Sequence, residues 1–203
     1  MSAVENESLS IAIESRGRGA GRPRSFDRDK AVAQALALFR HHGYEGVSIA
    51  DLTGAIGIAP PSLYAAFGSK AGLFEEALAL YVRETGARTS ARLEAAKTLE
   101  QWVRALLDAA LDTALDGGTA CLVSSGMVHC GPEHDNVAAL VRCRRTELYD
   151  MVQLGLGRWC PEDKVERLAR FLCALLQGIS VQAGDGATRD ELSALVEFAV
   201  AAL

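Results

Sequence analysis

Thiol and imidazole side chains are concentrated in one short stretch of the 203-residue sequence, between residues 120 and 136. Four of them lie within fourteen residues: Cys121, His129, Cys130 and His134. A thiolate can act as a nucleophile, and thiolates and imidazoles are both ligands of transition metals. The spacing contains no C-x-x-C and no H-x-x-x-H pair, so it fits no standard zinc motif. Three interpretations stay open: a metal site, a redox-sensing thiol, and structural cysteines beside loop histidines, of which we favour the last.

The same stretch could serve an enzyme as a nucleophile or metal site, but no third partner and no oxyanion motif accompanies it in the sequence. The five cysteines of the chain are odd in number and scattered, which argues against a disulfide framework. We therefore predict a protein that is not an enzyme, with no catalytic residues, no cofactor and no metal ligands.

Basic residues are concentrated in the first third of the chain. The net charge is −5, yet residues 16–70 hold eight Lys or Arg against four Asp or Glu, whereas residues 71–203 hold thirteen against nineteen. Arg22 and Arg24 end a segment, residues 1–24, whose Gly- and Arg-rich composition cannot bury a core but can follow a phosphate backbone or enter a minor groove. This segment is interpreted either as a disordered DNA-binding arm or as a solvated tail.

Residues 48–70 predict two short helices separated by a glycine turn and followed by the start of a third, an arrangement that can place side chains in a DNA groove. Ser48 and Asp51 form a capping signal for the first of these helices, and Gly57 can end it. Pro60 suits the first position of the next helix because its missing N–H would be unpaired there anyway. The outward positions of that helix are the candidate DNA readers: Ser62, Tyr64, Ala65 and Ala66.

The pattern of these residues is similar to the recognition region of TetR-type transcriptional regulators. The resemblance is carried by Gly57, Ile58, Ser62, Leu63, Tyr64, Phe67, Ser69, Lys70 and Leu73, and by the upstream stretch 31–48. It implies an N-terminal helix-turn-helix DNA-binding domain at residues 25–72, and a C-terminal helical domain at 73–203 that binds an effector and forms a homodimer. One departure concerns Ala59, which has no hydroxyl where the family often has a capping Ser or Thr.

The resemblance also assigns roles within the DNA-binding unit. Tyr64 resembles the family's tyrosine whose ring packs while its hydroxyl reaches a phosphate. Lys70 follows Ser69, the expected cap of its helix, so its cation and the helix N-terminus would point at one phosphate. Ser48 could combine its cap with a phosphate contact. Base reading falls to small residues that favour methyl contacts, water bridges or shape: Pro61, Ser62 and Ala65.

Helical periodicity runs through the rest of the chain, and Ala and Leu dominate without strand-type alternation, which predicts an all-α fold. We expect a fourth helix from Lys70 to about Arg88, weakened near its end by Gly86, and then a separate short helix at residues 91–96. The stretch from residue 120 should begin as an apolar helix. No apolar run reaches the roughly 18 residues of a membrane span, and the polar start is no signal peptide, so we expect a cytosolic protein without a membrane partner.

The resemblance places an effector pocket among the middle helices, for a small molecule that is largely apolar. The candidate lining residues are Trp102, Leu106, Cys121, Met127 and Tyr149. The last two helices carry wide apolar faces, which predict a dimer that presents two recognition helices to a palindromic double-stranded operator. The candidate interface residues are Leu168, Leu172, Leu175, Ile179, Leu192, Leu195, Val196 and Ala199. The function expected is that of a repressor released by its effector, with a thiol- or metal-responsive sensor on the same frame as the alternative.

Overall fold

The computed structural model describes residues 26–116, 121–124 and 131–203, and within them it contains eight α-helices and no strand. The helices are α1 (Arg28–His42), α2 (Ile49–Ile56), α3 (Pro60–Phe67), α4 (Lys70–Ala95), α5 (Leu99–Leu115), α6 (Asp135–Leu156), α7 (Glu162–Gly184) and α8 (Arg189–Ala201), with a short 3₁₀ helix at Pro132–His134. The all-α prediction is confirmed. Within the described ranges, no helix combines the length and the low charge that a bilayer span requires.

The first three helices begin and end at local signals in the sequence. At the start of α2 the Ser48 hydroxyl accepts the Asp51 N–H at 3.1 Å, and the Asp51 carboxylate accepts the Ser48 N–H at 2.8 Å. Gly57 then ends the helix in the left-handed conformation, at a φ of 76°. Ala59 gives α3 no side-chain cap, as its sequence predicts. These termini agree with the predictions because each signal acts within a few residues of itself.

Helix α4 is longer than predicted. It runs without interruption through Gly86 to Ala95, so the separate short helix expected at residues 91–96 does not exist. A glycine inside a helix costs only about 1 kcal/mol. Burial of Tyr81 before it and of Leu93 after it outweighs that cost, since the two side chains pack into different hydrophobic clusters on the same helix.

Two hydrophobic clusters form the core. The first joins α1, α2, α3 and α4 with the turn at residues 121–124 and the start of α6. In its centre the Phe39 and Tyr44 rings stack, and the Phe74 ring meets both of them edge to face. The second joins α5, the end of α6, α7 and α8. Helix α4 runs across the domain boundary that the sequence predicts between residues 72 and 73. The division into two domains stays a prediction.

Residues 121–124 form a turn where the sequence predicted the start of an apolar helix. The Cys121 N–H donates to the Ser180 hydroxyl on α7 at 2.9 Å, so its bond goes to another helix and not to a helical turn of its own. Leu122 and Val123 pack into the first cluster. The turn therefore connects α7 to the first hydrophobic cluster.

Most of the residues predicted for the dimer interface are buried within this chain. Six of the eight are only 0 to 8% exposed within this chain: Leu168, Leu172, Ile179, Leu192, Val196 and Ala199. They belong to the second cluster, on the faces that α7 and α8 turn towards α5. Leu175 and Leu195 are half-buried. Side chains that are covered by their own chain have little surface left for a partner. The interface itself stays a prediction.

Candidate DNA-binding surface and ligand cavity

The outward face of α3 is the candidate DNA-reading surface. Leu63 and Phe67 are 0% and 7% exposed and hold the helix to the first cluster. On the other side, Pro61 and Ala65 are exposed, Ser62 is half-buried, and the Tyr64 side chain is 49% exposed. The structure therefore brings the predicted base-reading residues and Tyr64 to one accessible face, which is flanked by the N-termini of α2 and α4.

The N-terminus of α4 carries the strongest candidate for a phosphate contact. The Ser69 hydroxyl accepts the Gly72 N–H at 3.0 Å and caps the helix. The Lys70 ammonium lies 4.2 Å from the centre of the Tyr44 ring, a cation–π contact that keeps it beside the first turn. Burial lowers the pKa of Lys70, while the carboxylates of Glu45 and Asp51 oppose that shift. A cation at a helix N-terminus is suited to bind an anion.

Arg28 fixes the position of α3, a role that the sequence did not reveal. Its guanidinium donates to the Ala66 carbonyl at the end of α3 at 2.7 Å, pairs with Glu76 on α4, and lies 4.4 Å from the centre of the Phe67 ring. These partners are 38 to 48 positions away in sequence, so no local spacing could predict them. Arg22 and Arg24 of the predicted basic arm lie outside the described residues.

A cavity of about 290 Å³ lies in the second half of the molecule, between α4, α5, α6, α7 and the turn at residues 121–124. Its apolar lining includes Leu93, Leu106, Ala109, Ala110, Leu148, Met151 and Leu176. Its polar lining includes Tyr81, Thr85, Thr89, Cys121, Ser124, Arg144, Glu147 and Ser180. Most of the lining surface is apolar, which suits a small molecule that contacts a few fixed polar groups.

The structure places the five predicted ligand residues in different surroundings. Leu106 and Cys121 line the cavity. Trp102 is 2% exposed where α5 crosses α6, and a Cβ atom on Gly155 would approach its Cζ2 atom to 2.1 Å. Tyr149 lines a second groove of about 520 Å³ between α6 and α7, together with Arg142, Arg145 and Arg170. Met127 lies outside the described residues.

Tyr81 is a cavity residue that the sequence did not indicate. Its side chain lines the cavity and is 4% exposed. Its hydroxyl is buried, and the Cys121 thiol is its one hydrogen-bonding neighbour among the described residues. Burial, followed by the neighbouring Cys121 thiol, raises the pKa of Tyr81 far above its usual value. The group is therefore a neutral hydrogen-bond donor directed at the cavity.

Arg40 connects the cavity region to the DNA-binding half. It lies near the end of α1 and donates to the Asp116 carbonyl at 3.0 Å and to the Thr113 carbonyl at 3.4 Å, both at the end of α5. Its guanidinium lies 5.7 Å from the centre of the Tyr81 ring. Arg40 belongs to α1, the helix that packs against α2. Its side chain thus joins this helix to the wall of the cavity and to the end of α5.

The Cys/His stretch does not assemble as a metal site within the described part of the chain, where no group of three His, Cys, Asp or Glu side chains could hold an ion. His134 contacts the edge of the Tyr44 ring, with ring centres 5.2 Å apart, and its Nε2 lies 3.8 Å from the Glu45 carboxylate. It therefore joins the start of α6 to the loop between α1 and α2. His129 and Cys130 lie outside the described residues.

A capped helix-turn-helix with an exposed second helix, joined by α4 to a helical domain that contains a cavity, defines a DNA-binding protein of the helix-turn-helix class. Residues 31–77 match the family described as bacterial regulatory proteins, tetR family. The chain is 33% identical over 179 residues to the HTH-type transcriptional repressor ComR of Escherichia coli (strain K12), a match that covers 84% of this chain and 85% of ComR. The chain belongs to the TetR family of transcriptional regulators.

Two further comparisons agree. The HTH-type transcriptional repressor BdcR of Escherichia coli (strain K12) is 33% identical over 180 residues, covering 87% of this chain and 89% of BdcR. A solved structure of a cysteine mutant of the TetR family regulator CifR, complexed with a 26-base-pair double-strand operator, superimposes with a TM-score of 0.82 at 38% identity. That match covers 89% of this chain and 99% of CifR.

Proposed function

We propose that the protein is a homodimeric transcriptional repressor in the cytoplasm, which leaves its operator when a small, largely apolar molecule occupies the 290 Å³ cavity. The observation that carries this proposal is the continuity of α4. Its first residue, Lys70, lies at the candidate DNA surface, and residues 81 to 93 of the same helix line the cavity. A ligand that shifts this wall therefore acts on the helix that positions the DNA-binding half.

On the DNA side, Pro61, Ser62 and Ala65 would read base edges or groove shape, while Ser48, Tyr64, Ser69 and Lys70 would contact phosphates. The complex of CifR with operator DNA supports this assignment at the level of the fold. Arg22 and Arg24 would follow the backbone or enter the minor groove. The repressor names of ComR and BdcR favour repression as the outcome of DNA binding.

The dimer would form through the outward faces of α7 and α8. Three large apolar side chains are exposed there: Phe171 at 42%, Val181 at 50% and Phe198 at 82%. Exposed apolar clusters of this kind are typical of association surfaces. A two-fold dimer would place two α3 helices one turn of DNA apart, about 34 to 36 Å, and would therefore select a palindromic operator.

Effector control requires two conformations with different affinities for DNA. Ligand binding in the cavity would favour one conformer over the other. In that conformer, α4 and the Arg40 contacts would hold the helix-turn-helix units of the two protomers at a separation that does not fit the operator. A coupling free energy of about 1 to 3 kcal/mol is typical of such regulation and weakens operator binding roughly 5- to 150-fold. The effector half needs no catalytic group for this role.

The test is binding of the purified protein to fragments of genomic DNA, including the region around its own coding sequence, over a series of salt concentrations. Tight binding to one palindrome is expected, and Lys70→Ala should weaken it and reduce the salt slope by about 1. Tyr64→Phe should weaken it less. Lys97→Ala, which changes an exposed lysine beyond the end of α4, is the matched control. A slope unchanged by Lys70→Ala, or binding without any sequence preference, would contradict the proposal.

A further inference from the structure

We propose that the cavity captures uncharged electrophiles covalently: the Cys121 thiol adds to an α,β-unsaturated carbonyl compound whose oxygen accepts a hydrogen bond from the Tyr81 hydroxyl. This inference rests on the proposed function and specifies the class of effector at the same cavity. It depends on the pairing of a nucleophile with a hydrogen-bond donor in one apolar enclosure.

The Tyr81 hydroxyl has only a weak acceptor beside it among the described residues. The side chain is 4% exposed, its hydroxyl is buried, and the Cys121 sulfur is its one hydrogen-bonding neighbour there. A buried donor without a good acceptor is unfavourable. A ligand oxygen at this position would therefore supply the strong hydrogen bond that the Tyr81 hydroxyl lacks. Because burial raises the pKa of Tyr81, the hydroxyl keeps its proton at neutral pH and donates.

Cys121 is held next to this donor with its sulfur in a defined position. Its backbone N–H donates to the Ser180 hydroxyl at 2.9 Å, and the Ser124 backbone N–H donates to its sulfur at 3.4 Å. A donor directed at sulfur suits a nucleophile, because the sulfur carries negative charge when it attacks. Tyr81 and Cys121 both line the cavity, so a molecule bound there meets both groups.

The remaining lining selects for an uncharged molecule. Leu106, Ala110 and Leu148 form apolar walls, and Glu147 balances the charge of Arg144, because the Arg144 Nη1 donates to both Glu147 carboxylate oxygens at 3.0 and 2.8 Å. Within this guanidinium, only the Arg144 Nε is buried without a hydrogen-bond partner among the described residues. An anion would have to compete with Glu147 for that arginine. A neutral enone or enal of a few carbon atoms meets no such competitor and fits a volume of about 290 Å³.

The addition needs no second reactant. A bond forms between Sγ of Cys121 and the β carbon, while the C=C π electron pair moves to give an enolate whose oxygen accepts the Tyr81 hydrogen bond. The thiol proton ends on the α carbon as the carbonyl re-forms. The product is a thioether, with every atom of thiol and enone retained.

The adduct would act on the contacts that join the two halves. Tyr81 packs against Arg40, which holds the end of α5 to α1, and Leu122 beside the modified cysteine lies in the core of the DNA-binding half. A group bound between Tyr81 and Cys121 therefore displaces both the contacts of Arg40 and the packing of Leu122.

The experiment treats the full-length protein with 2-cyclohexen-1-one and follows adduct formation by intact-protein and peptide mass spectrometry. The expected product is a single adduct on Cys121 that is absent in Cys121→Ser and persists in Cys143→Ser, the control for an exposed cysteine on α6. Tyr81→Phe keeps the ring and should slow the addition roughly 10- to 100-fold. Saturated cyclohexanone should leave no adduct. If Cys121→Ser fails to fold by circular dichroism, Cys121→Ala replaces it.

The outcomes separate the inference from the proposed function. Modification of Cys143, Cys160 or Cys173 at the same rate as Cys121, preferential modification of Cys130, or an unchanged rate in Tyr81→Phe would overturn the inference. The same samples are then tested for operator binding. If the enone releases Cys121→Ser from DNA as readily as the unaltered protein, the covalent step is refuted while repression by a cavity ligand stands. If the untreated protein shows no site-specific DNA binding, the proposed function fails whatever the mass spectra show.

Discussion

The half of the molecule built around the first cluster and the half built around the second are both helical, but they differ in how completely their interiors are filled. In the first half, aromatic rings fill the core around Phe39 and Phe74. The second half borders a cavity of about 290 Å³, which is lined by Leu93, Leu106 and Leu176 of its own cluster and by Tyr81 of the first.

This difference indicates where each half keeps its freedom to change. A densely packed unit has one favourable arrangement and transmits displacement as a rigid body. A half that borders a cavity has fewer packing contacts, which a ligand can supply, so its arrangement can respond to a bound molecule. Under the proposed function, recognition of DNA and sensing of a ligand thus use opposite kinds of interior.

The largest effect expected from this comparison comes from adding volume to each half. Ala35 on α1 is 0% exposed, so Ala35→Leu should overpack the core and lower the free energy of unfolding by about 1 to 3 kcal/mol. Ala110→Leu directs the same added atoms into the cavity and should change stability by less than about 1 kcal/mol. Urea unfolding followed by circular dichroism measures both. Equal losses in the two variants would show that the halves do not differ in packing.

A smaller effect is expected from the backbone of the first half. Gly57 has a φ of 76°, whereas Gly54 lies inside α2, and a Cβ atom at either position would meet no atom within 4 Å. Gly57→Ala should therefore cost about 1 to 2 kcal/mol from conformation alone. Gly54→Ala should gain about 0.5 to 1 kcal/mol. If both substitutions stabilise the protein in thermal unfolding, the left-handed turn is not a fixed feature of the unit.

The smallest effect concerns the cap of α2. Ser48→Ala should cost about 1 kcal/mol at neutral pH, and Ala59→Ser at the uncapped start of α3 should gain about half as much. Hydrogen bonds from the Ser48 hydroxyl and backbone N–H lower the pKa of Asp51. Its part of the cap is therefore present above the usual aspartate pKa and lost as the pH falls through the lowered value.

Unfolding of the Ser48→Ala variant and the unaltered protein at pH 7 and in acid checks this prediction. The difference between them should shrink in acid. A difference that grows as the pH falls would mean that the carboxylate of Asp51 opposes the cap.

Sequence reasoning recovered what is encoded locally. Both ends of α2 and the start of α3 follow from a cap, a glycine and a proline that act over three or four residues, and the structure reproduces them. The continuity of α4 was missed because the favourable packing that outweighs the cost of Gly86 comes from two clusters assembled by distant segments.

The site was predictable to a lesser extent for the same reason. Leu106 and Cys121 were named as ligand residues and line the cavity, whereas Trp102 and Tyr149 were named by the same argument and lie elsewhere. A helical stripe indicates that a residue is covered but not by what. The apolar faces of α7 and α8 were likewise assigned to a partner, although most of their residues pack against α5 of their own chain.

The participation of the turn at residues 121–124 in the first hydrophobic cluster has a consequence for modularity. Leu122 and Val123 complete the same core as Phe39 and Phe74, together with Val137 and Val141 from α6. A chimera that joins residues up to the end of α4 to the remaining helices of a relative would also replace these four residues of the first cluster. Recombination between family members should therefore succeed only when those positions are transferred together with α1 to α4. Under the proposed function, this shared packing couples changes of operator and of inducer in evolution.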